Sequence, residues 1–127
     1  MPGMYILGKG ERLKSRKAIE ELFASGKKLS LSFYLLYFQF HEERKEPLQF
    51  GVGVSARQFR KAVARNRVKR LTREAYRLQK NQLKQLLINR KKSLDVFFIY
   101  TGKIIPQYEE AYSVIGSIIK KLENMLE

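Results

Sequence analysis

The stretch KAVARNRVKRLTREAYR, Lys61 to Arg77, holds the side chains best suited to chemistry: Lys61, Arg65, Asn66, Arg67, Lys69, Arg70, Arg73 and Arg77. Guanidinium groups meet phosphate oxygens in two-point geometry, and an asparagine amide offers both a donor and an acceptor to a sugar or base edge. This is the chemistry of gripping a polyanion, not of breaking bonds. Arg57, Arg60 and Lys80 extend the series, and Glu74 is the only acid between Arg57 and Lys80. On a helix, like charges at i,i+4, here Arg65, Lys69, Arg73 and Arg77, repel by a few tenths of a kcal/mol per pair. A solvated face laced with ion pairs would not carry that cost, whereas a face neutralised by a polyanionic partner would.

No comparable grouping suggests a protein catalyst. Cleavage of a phosphodiester by protein-held metal ions needs clustered carboxylates, and the chain has one aspartate, Asp95, in an apolar run. The glutamates come mainly as pairs at 20–21, 42–43 and 109–110, as on solvated faces, and His41, the only histidine, sits in a charged connection with no partner in the local sequence. Neither catalytic nor metal-ligating protein residues are expected. Cysteine is absent, which excludes disulfides and thiolate metal sites.

The composition agrees with a nucleic-acid partner. Lys and Arg number 26 against 12 Asp and Glu, a formal charge of +14 and a pI near 10.1. An anionic membrane surface is the second candidate, but apolar runs such as FYLLYF (33–38) fall far short of the roughly 20 residues of a spanning helix. The opening MPGMYILGKGERL lacks the charged start and long apolar run of a signal peptide, so a cytoplasmic location is expected.

The elements that must position the cations follow from periodicity. At 127 residues one domain, 1–127, is expected, with 1–14 as an N-terminal arm. Ser15 as N-cap, Ile19, Leu22 and Phe23 at helical spacing and Gly26 as a stop predict a short first helix. LSLSFYLLYFQF (29–40) is a central strand, or two pieces of a meander, with Leu29, Leu31, Phe33, Leu35 and Tyr37 on one face and Tyr34, Leu36, Phe38 and Phe40 on the other. Leu48, Phe50, Val52 and Val54 alternate with Gln49, Gly51, Gly53 and Ser55 in a further strand whose second face is nearly bare. The basic helix runs from about Lys61 through at least Leu78, and on toward Leu87 if Leu83, Leu86 and Leu87 continue it. Its predicted core face is Ala64, Val68, Leu71, Ala75 and Leu78, with Tyr76 beside Lys69 and Arg65. After a polar break at 89–93, LDVFFIY (94–100) is a buried strand, and Pro106 precedes a helix with the stripe Ala111, Ile115, Ile118, Ile119 and Leu122. Such an order implies helices covering one sheet, an α+β sandwich.

Ala62-Val63-x-Arg65-Asn66-Arg67-Val68-Lys69-Arg70, with Arg73 one turn later, resembles the Arg-Asn-Arg helix motif of the bacterial ribonuclease P protein subunit. The resemblance takes in RLKS (12–15), Phe23 followed by Gly26, the strand ending in Tyr37, FGVGVS (50–55) and DVFFIY (95–100). It implies one mostly antiparallel sheet of about four strands covered by three helices, with a left-handed βαβ crossover that ordinary topology rules disfavour. It implies a protein that assists a catalytic RNA in removing the 5′ leader of precursor tRNA, most simply as a monomer in a 1:1 complex, with Mg²⁺ held by the RNA and substrate.

Carried onto this sequence, the resemblance makes Lys61, Arg65, Asn66, Arg67, Lys69, Arg70, Arg73 and Arg77 contacts to the catalytic RNA. Phe23, Tyr37, Ser55, Arg57, Arg65 and Asn66 would line a cleft for the single-stranded leader, Arg65 and Asn66 lying nearest it. Aromatic rings suit unstacked bases, because every base has a π-face. Gly51, Gly53 and Ser55 would let a nucleotide backbone approach. Three departures from the family pattern stand out: Ile19 where an aromatic is usual, Ala56-Arg57 for a pair commonly Lys-Lys, and Arg60 where glycine is frequent. A general RNA-binding or chaperone module is the competing reading, and a DNA-binding helix protein the third.

Overall fold

A computed structural model describes residues 9–127; positions 1–8 of the predicted arm lie outside the described residues. After a 3₁₀ turn at Lys9–Glu11, the elements run α1 (Arg16–Ser25), β1 (Lys27–Leu31), β2 (Tyr34–Glu42), β3 (Leu48–Val54), α2 (Ala62–Arg77), α3 (Asn81–Arg90), β4 (Lys92–Tyr100) and α4 (Tyr108–Met125). The strands form one sheet in the order β1-β2-β4-β3. β1 and β2 pair antiparallel, as do β2 and β4, while β3 runs parallel to β4 and reaches it through α2 and α3. Four helices stand where three were expected.

Local signals place α1 and α4. The Ser15 hydroxyl accepts from the Ala18 N–H at 3.2 Å. Gly26 ends α1 at φ −73°, outside the left-handed region; it is glycine for want of space, since a Cβ there would lie 2.4 Å from the Leu22 carbonyl oxygen. In α4, Gln107 and Glu110 form a reciprocal capping box, and Ala111, Ile115, Ile118, Ile119 and Leu122 are all buried.

The segment 29–40 is two strands. The chain turns at Ser32–Phe33, where Ser32 takes a left-handed conformation with φ 53°. Leu29 therefore sits opposite Leu36 and Leu31 opposite Tyr34, which moves both onto the core face and away from Leu35 and Tyr37. That face carries Tyr34, Leu36, Phe38, Leu48, Phe50, Leu94, Val96, Phe98 and Tyr100, packed beneath buried side chains of α2, α3 and α4. The opposite face carries Tyr37, Phe97 and Asp95 in register with Gly51 and Gln49, and α1 lies over part of it through Phe23.

Two buried tyrosines set the rotation of α2. Tyr76 stacks on Phe50 with ring centroids 4.1 Å apart, and Thr72 donates to the Val68 carbonyl at 2.9 Å while accepting from the Tyr34 hydroxyl at 2.6 Å. The buried face is thus Val68, Thr72, Ala75 and Tyr76. It is turned away from the predicted arc, leaving Ala64 and Leu71 half-buried and Leu78 at the exposed helix end. The predicted continuation to Leu87 is interrupted after Leu78, where Lys80 turns inward and is only 1% exposed.

Burial pushes the Tyr34 phenol up to about 12. An unfolded tyrosine ionises near 10, so the folded chain keeps a proton that the unfolded chain loses. This contribution is complete below pH 10 and disappears as pH climbs toward about 12. Denaturant unfolding across that window should show Tyr34→Phe losing roughly 2–3 kcal/mol less stability than the parent.

Candidate nucleic-acid interface

Lys61 is the N-cap of α2, with no side-chain cap bond, and the first turn carries no acid. The unpaired N–H groups of a helix start ordinarily favour a carboxylate there, so this start is left open to an outside anion. Ser55 is exposed, and it also shapes the turn into α2: its hydroxyl accepts from the Arg57 N–H at 3.1 Å, and its carbonyl accepts from the Gln58 and Phe59 N–H groups. Arg65 holds the same entry. Its Nη1 donates to the Phe59 and Arg60 carbonyls at 2.7 and 2.8 Å.

The structure divides the predicted cations into groups. Lys61, Asn66, Arg67, Arg70 and Arg73 are exposed, as is Arg57, whereas Arg65, Lys69 and Arg77 are half-buried. Arg77 forms an ion pair with Glu74. Asn66, Arg67 and Arg70 border a surface groove of about 580 Å³ with Val63 and Leu71. Arg73 opens on the other flank of the helix. There it lines a separate cleft of about 360 Å³ with Arg12, Lys14, Ile19, Gly51 and Phe97. Arg65 and Asn66, expected nearest the leader cleft, do not line this space, and Arg12 and Lys14 do.

Those two cations come from the predicted arm, whose described part is docked. Leu13 N–H donates to the Phe50 carbonyl at 2.8 Å, so Arg12 lies parallel beside Phe50 on the outer edge of β3. Gln49 Nε2 donates to the Gly10 carbonyl at 3.0 Å. The Glu11 carboxylate is buried against Lys80 Nζ, with Lys84 Nζ 3.6 Å away. An edge strand presents unpaired backbone groups, and RLKS covers them while delivering its charges to the cleft.

Aromatic side chains floor this side of the sheet. Phe23 and Tyr37, predicted for the cleft, touch with centroids 4.8 Å apart at 51°, and Phe23 is 42% exposed. Lys28 Nζ lies 5.4 Å from the Tyr37 centroid. Phe97, on the strand expected to be buried, is half-buried and meets Phe23 edge to face at 5.1 Å. Its ring also explains the bare flank of β3: a Cβ on Gly51 would come within 2.5 Å of Phe97 Cδ2, and one on Gly53 within 3.1 Å of Cε1. The glycines make room for a ring of this chain. The available signal was two glycines in a strand beside a strand with consecutive phenylalanines.

The carboxylates nearest these surfaces already have cations. Asp95, 3% exposed, accepts from Arg44 Nη2 at 2.8 Å and lies 3.1 Å from His41 Nε2, so the histidine that lacked a visible partner in sequence has one across the sheet. No group of three or more His, Cys, Asp or Glu among the described residues is placed to hold a metal ion. With Asp95 and Glu11 both neutralised by basic side chains, these residues do not fit a protein-held Mg²⁺.

A four-stranded mixed sheet with α2, α3 and α4 on one face and α1 on the other is an α+β architecture that recurs in solved RNase P proteins. The Staphylococcus aureus structure superposes with a TM-score of 0.66 at 18% identity over 87% of this chain and 94% of that one. The Thermotoga maritima structure gives 0.67 at 22% over 87% and 96%. The family model described as Ribonuclease P matches residues 7–122. In sequence, the ribonuclease P protein component of Porphyromonas gingivalis strain ATCC 33277 is 36% identical over 84% of this chain and 79% of its own length. That of Chlorobaculum tepidum is 32% identical over 91% and 82%. The chain belongs to the ribonuclease P protein family.

Proposed function

We propose that this protein is the accessory subunit of a ribonucleoprotein endonuclease that removes the 5′ leader of precursor tRNA, docking through α2 onto a catalytic RNA. The observation that carries the reading is the division of α2 into a buried side, Val68, Thr72, Ala75 and Tyr76, and an exposed cationic one, Arg67 and Arg70 with Asn66, flanked by Arg73 toward the cleft and by Lys61 at the N-cap. Arginines fixed on a helix packed against a sheet meet phosphates without first having to be ordered, and counterion release drives the association. Lys69 adds charge at the margin of the ridge.

The aromatic side of the sheet, Phe23 and Tyr37 with Arg73, Arg12 and Lys14 close by, is assigned to the single-stranded leader. Bases stack on rings and the cations follow the backbone. The RNA holds Mg²⁺ and performs the cleavage, and the protein's share is affinity for the substrate and neutralisation of charge. A 1:1 complex in the cytoplasm goes with this reading.

Reconstitution tests it. Mixed with a bacterial ribonuclease P RNA at low Mg²⁺, the protein should stimulate leader release from precursor tRNA; a correctly folded protein that binds structured RNAs indiscriminately and stimulates nothing would support the general RNA-binding module instead. In the reconstituted particle Tyr37→Ala should reduce the preference for leader-bearing over mature tRNA by roughly 5- to 150-fold, the equivalent of about one lost stack. Competition binding with the two RNAs reads that ratio.

A further inference from the structure

We propose that Phe97 is the principal base-stacking platform of the cleft, supplying from the sheet the ring that position 19 of α1 does not. This rests on the leader-binding reading above and adds the residue and its mode of contact. Phe97 stands on β4, an interior strand, opposite Gly51. Its ring spreads across Gly51 and Gly53, where any Cβ would come within 2.5 and 3.1 Å of it. Phe23 abuts it edge to face, at an interplanar angle of 89°. The ring is therefore supported from β3 and braced from α1, yet it is only half-buried and lines the cleft.

The rest of the cleft lining identifies the occupant. Ile19 faces the same space and offers an aliphatic surface without a π-face. Arg12, Lys14 and Arg73 supply three cations, and among the described residues no acid lines the cleft. A lone aromatic ligand would need no such charge, whereas a nucleotide within a strand brings a base for the ring and phosphates for the cations on either side. Stacking on a ring fixed in a strand also avoids the ordering cost of a mobile side chain.

The test uses the full chain reconstituted with a bacterial ribonuclease P RNA and two precursor tRNAs, one with a long single-stranded leader and one trimmed to a single leader nucleotide. Phe97→Leu should reduce the affinity ratio between them about tenfold, within the roughly 5- to 150-fold span of one lost base–aromatic stack, and Phe97→Tyr should preserve it. A 2-aminopurine in the leader should be quenched on binding to the parent and to Phe97→Tyr, but not to Phe97→Leu. Thermal melts accompany each variant, and Phe97→Met, flexible enough to fill the site without a π-face, replaces leucine if Phe97→Leu fails to fold. Ratio and quenching both retained without the ring would show that Phe97 only packs, leaving the proposed function standing. A parent protein with no preference for the longer leader would overturn that function and this inference together.

Discussion

Glu11→Ala is expected to destabilise the protein by about 3–5 kcal/mol, because it removes the carboxylate that a buried ammonium pairs with. Lys80 is 1% exposed and Glu11 8%, and the two pair across a sequence separation of 69. A charge taken out of water is tolerable when an opposite charge meets it and costly when that partner is removed. Lys84, 3.6 Å from the same carboxylate and more exposed, can turn to solvent; Lys80 cannot without opening the α2–α3 junction. Thermal unfolding should register a drop on the order of 10–20 °C for a chain of this size. Glu11→Ala combined with Lys80→Met should recover much of the loss, since an apolar side chain in place of the ammonium leaves no buried charge. If Glu11→Ala melts within a degree or two of the parent, the pair is not holding the docked segment in place.

Arg67→Ala with Arg70→Ala is expected to weaken association with the catalytic RNA by roughly 30- to 1000-fold, taking about 1–2 kcal/mol for each lost charged contact. Both arginines are exposed on the ridge and border its surface groove, so the pair of changes should leave the melting temperature nearly unchanged. The slope of log affinity against log salt should become shallower by about 1.5–2, as two phosphate contacts disappear. Arg65→Ala makes an informative contrast. Its guanidinium closes two carbonyls at the entry of α2, so losing it should lower stability as well as affinity. Unchanged affinity and salt slope in the Arg67/Arg70 double variant would mean that the RNA docks elsewhere.

What could be read in the sequence was mostly local. Ser15 and the stripe of α4 depend on neighbours within one or two helical turns, and both lie where the spacing puts them. The cationic ridge was also legible, because charge content survives an error in helix rotation. That error lies at Tyr76, expected beside Lys69 and Arg65, and at Thr72, absent from the expected core face, which bury by stacking on Phe50 and by hydrogen bonding with Tyr34. The turn at Ser32–Phe33 has no glycine, asparagine or proline to announce it. The docking of RLKS, the pairing of Asp95 with His41 and Arg44, and the fit of Phe97 over Gly51 and Gly53 each join residues distant in the chain. No periodicity reports such contacts.

The position of β4 between β2 and β3 bears on the order in which the protein can be built. Neither neighbour gains its inner ladder until the chain has been made as far as Tyr100, well after Arg73 has emerged. Before then α2 is a short stretch of mutually repelling cations without the surface that anchors it, and isolated helices of that length are marginal in water. During synthesis this segment is a polycation without its support, and on the function proposed above its shape-selective docking awaits the strand that closes the sheet beneath it.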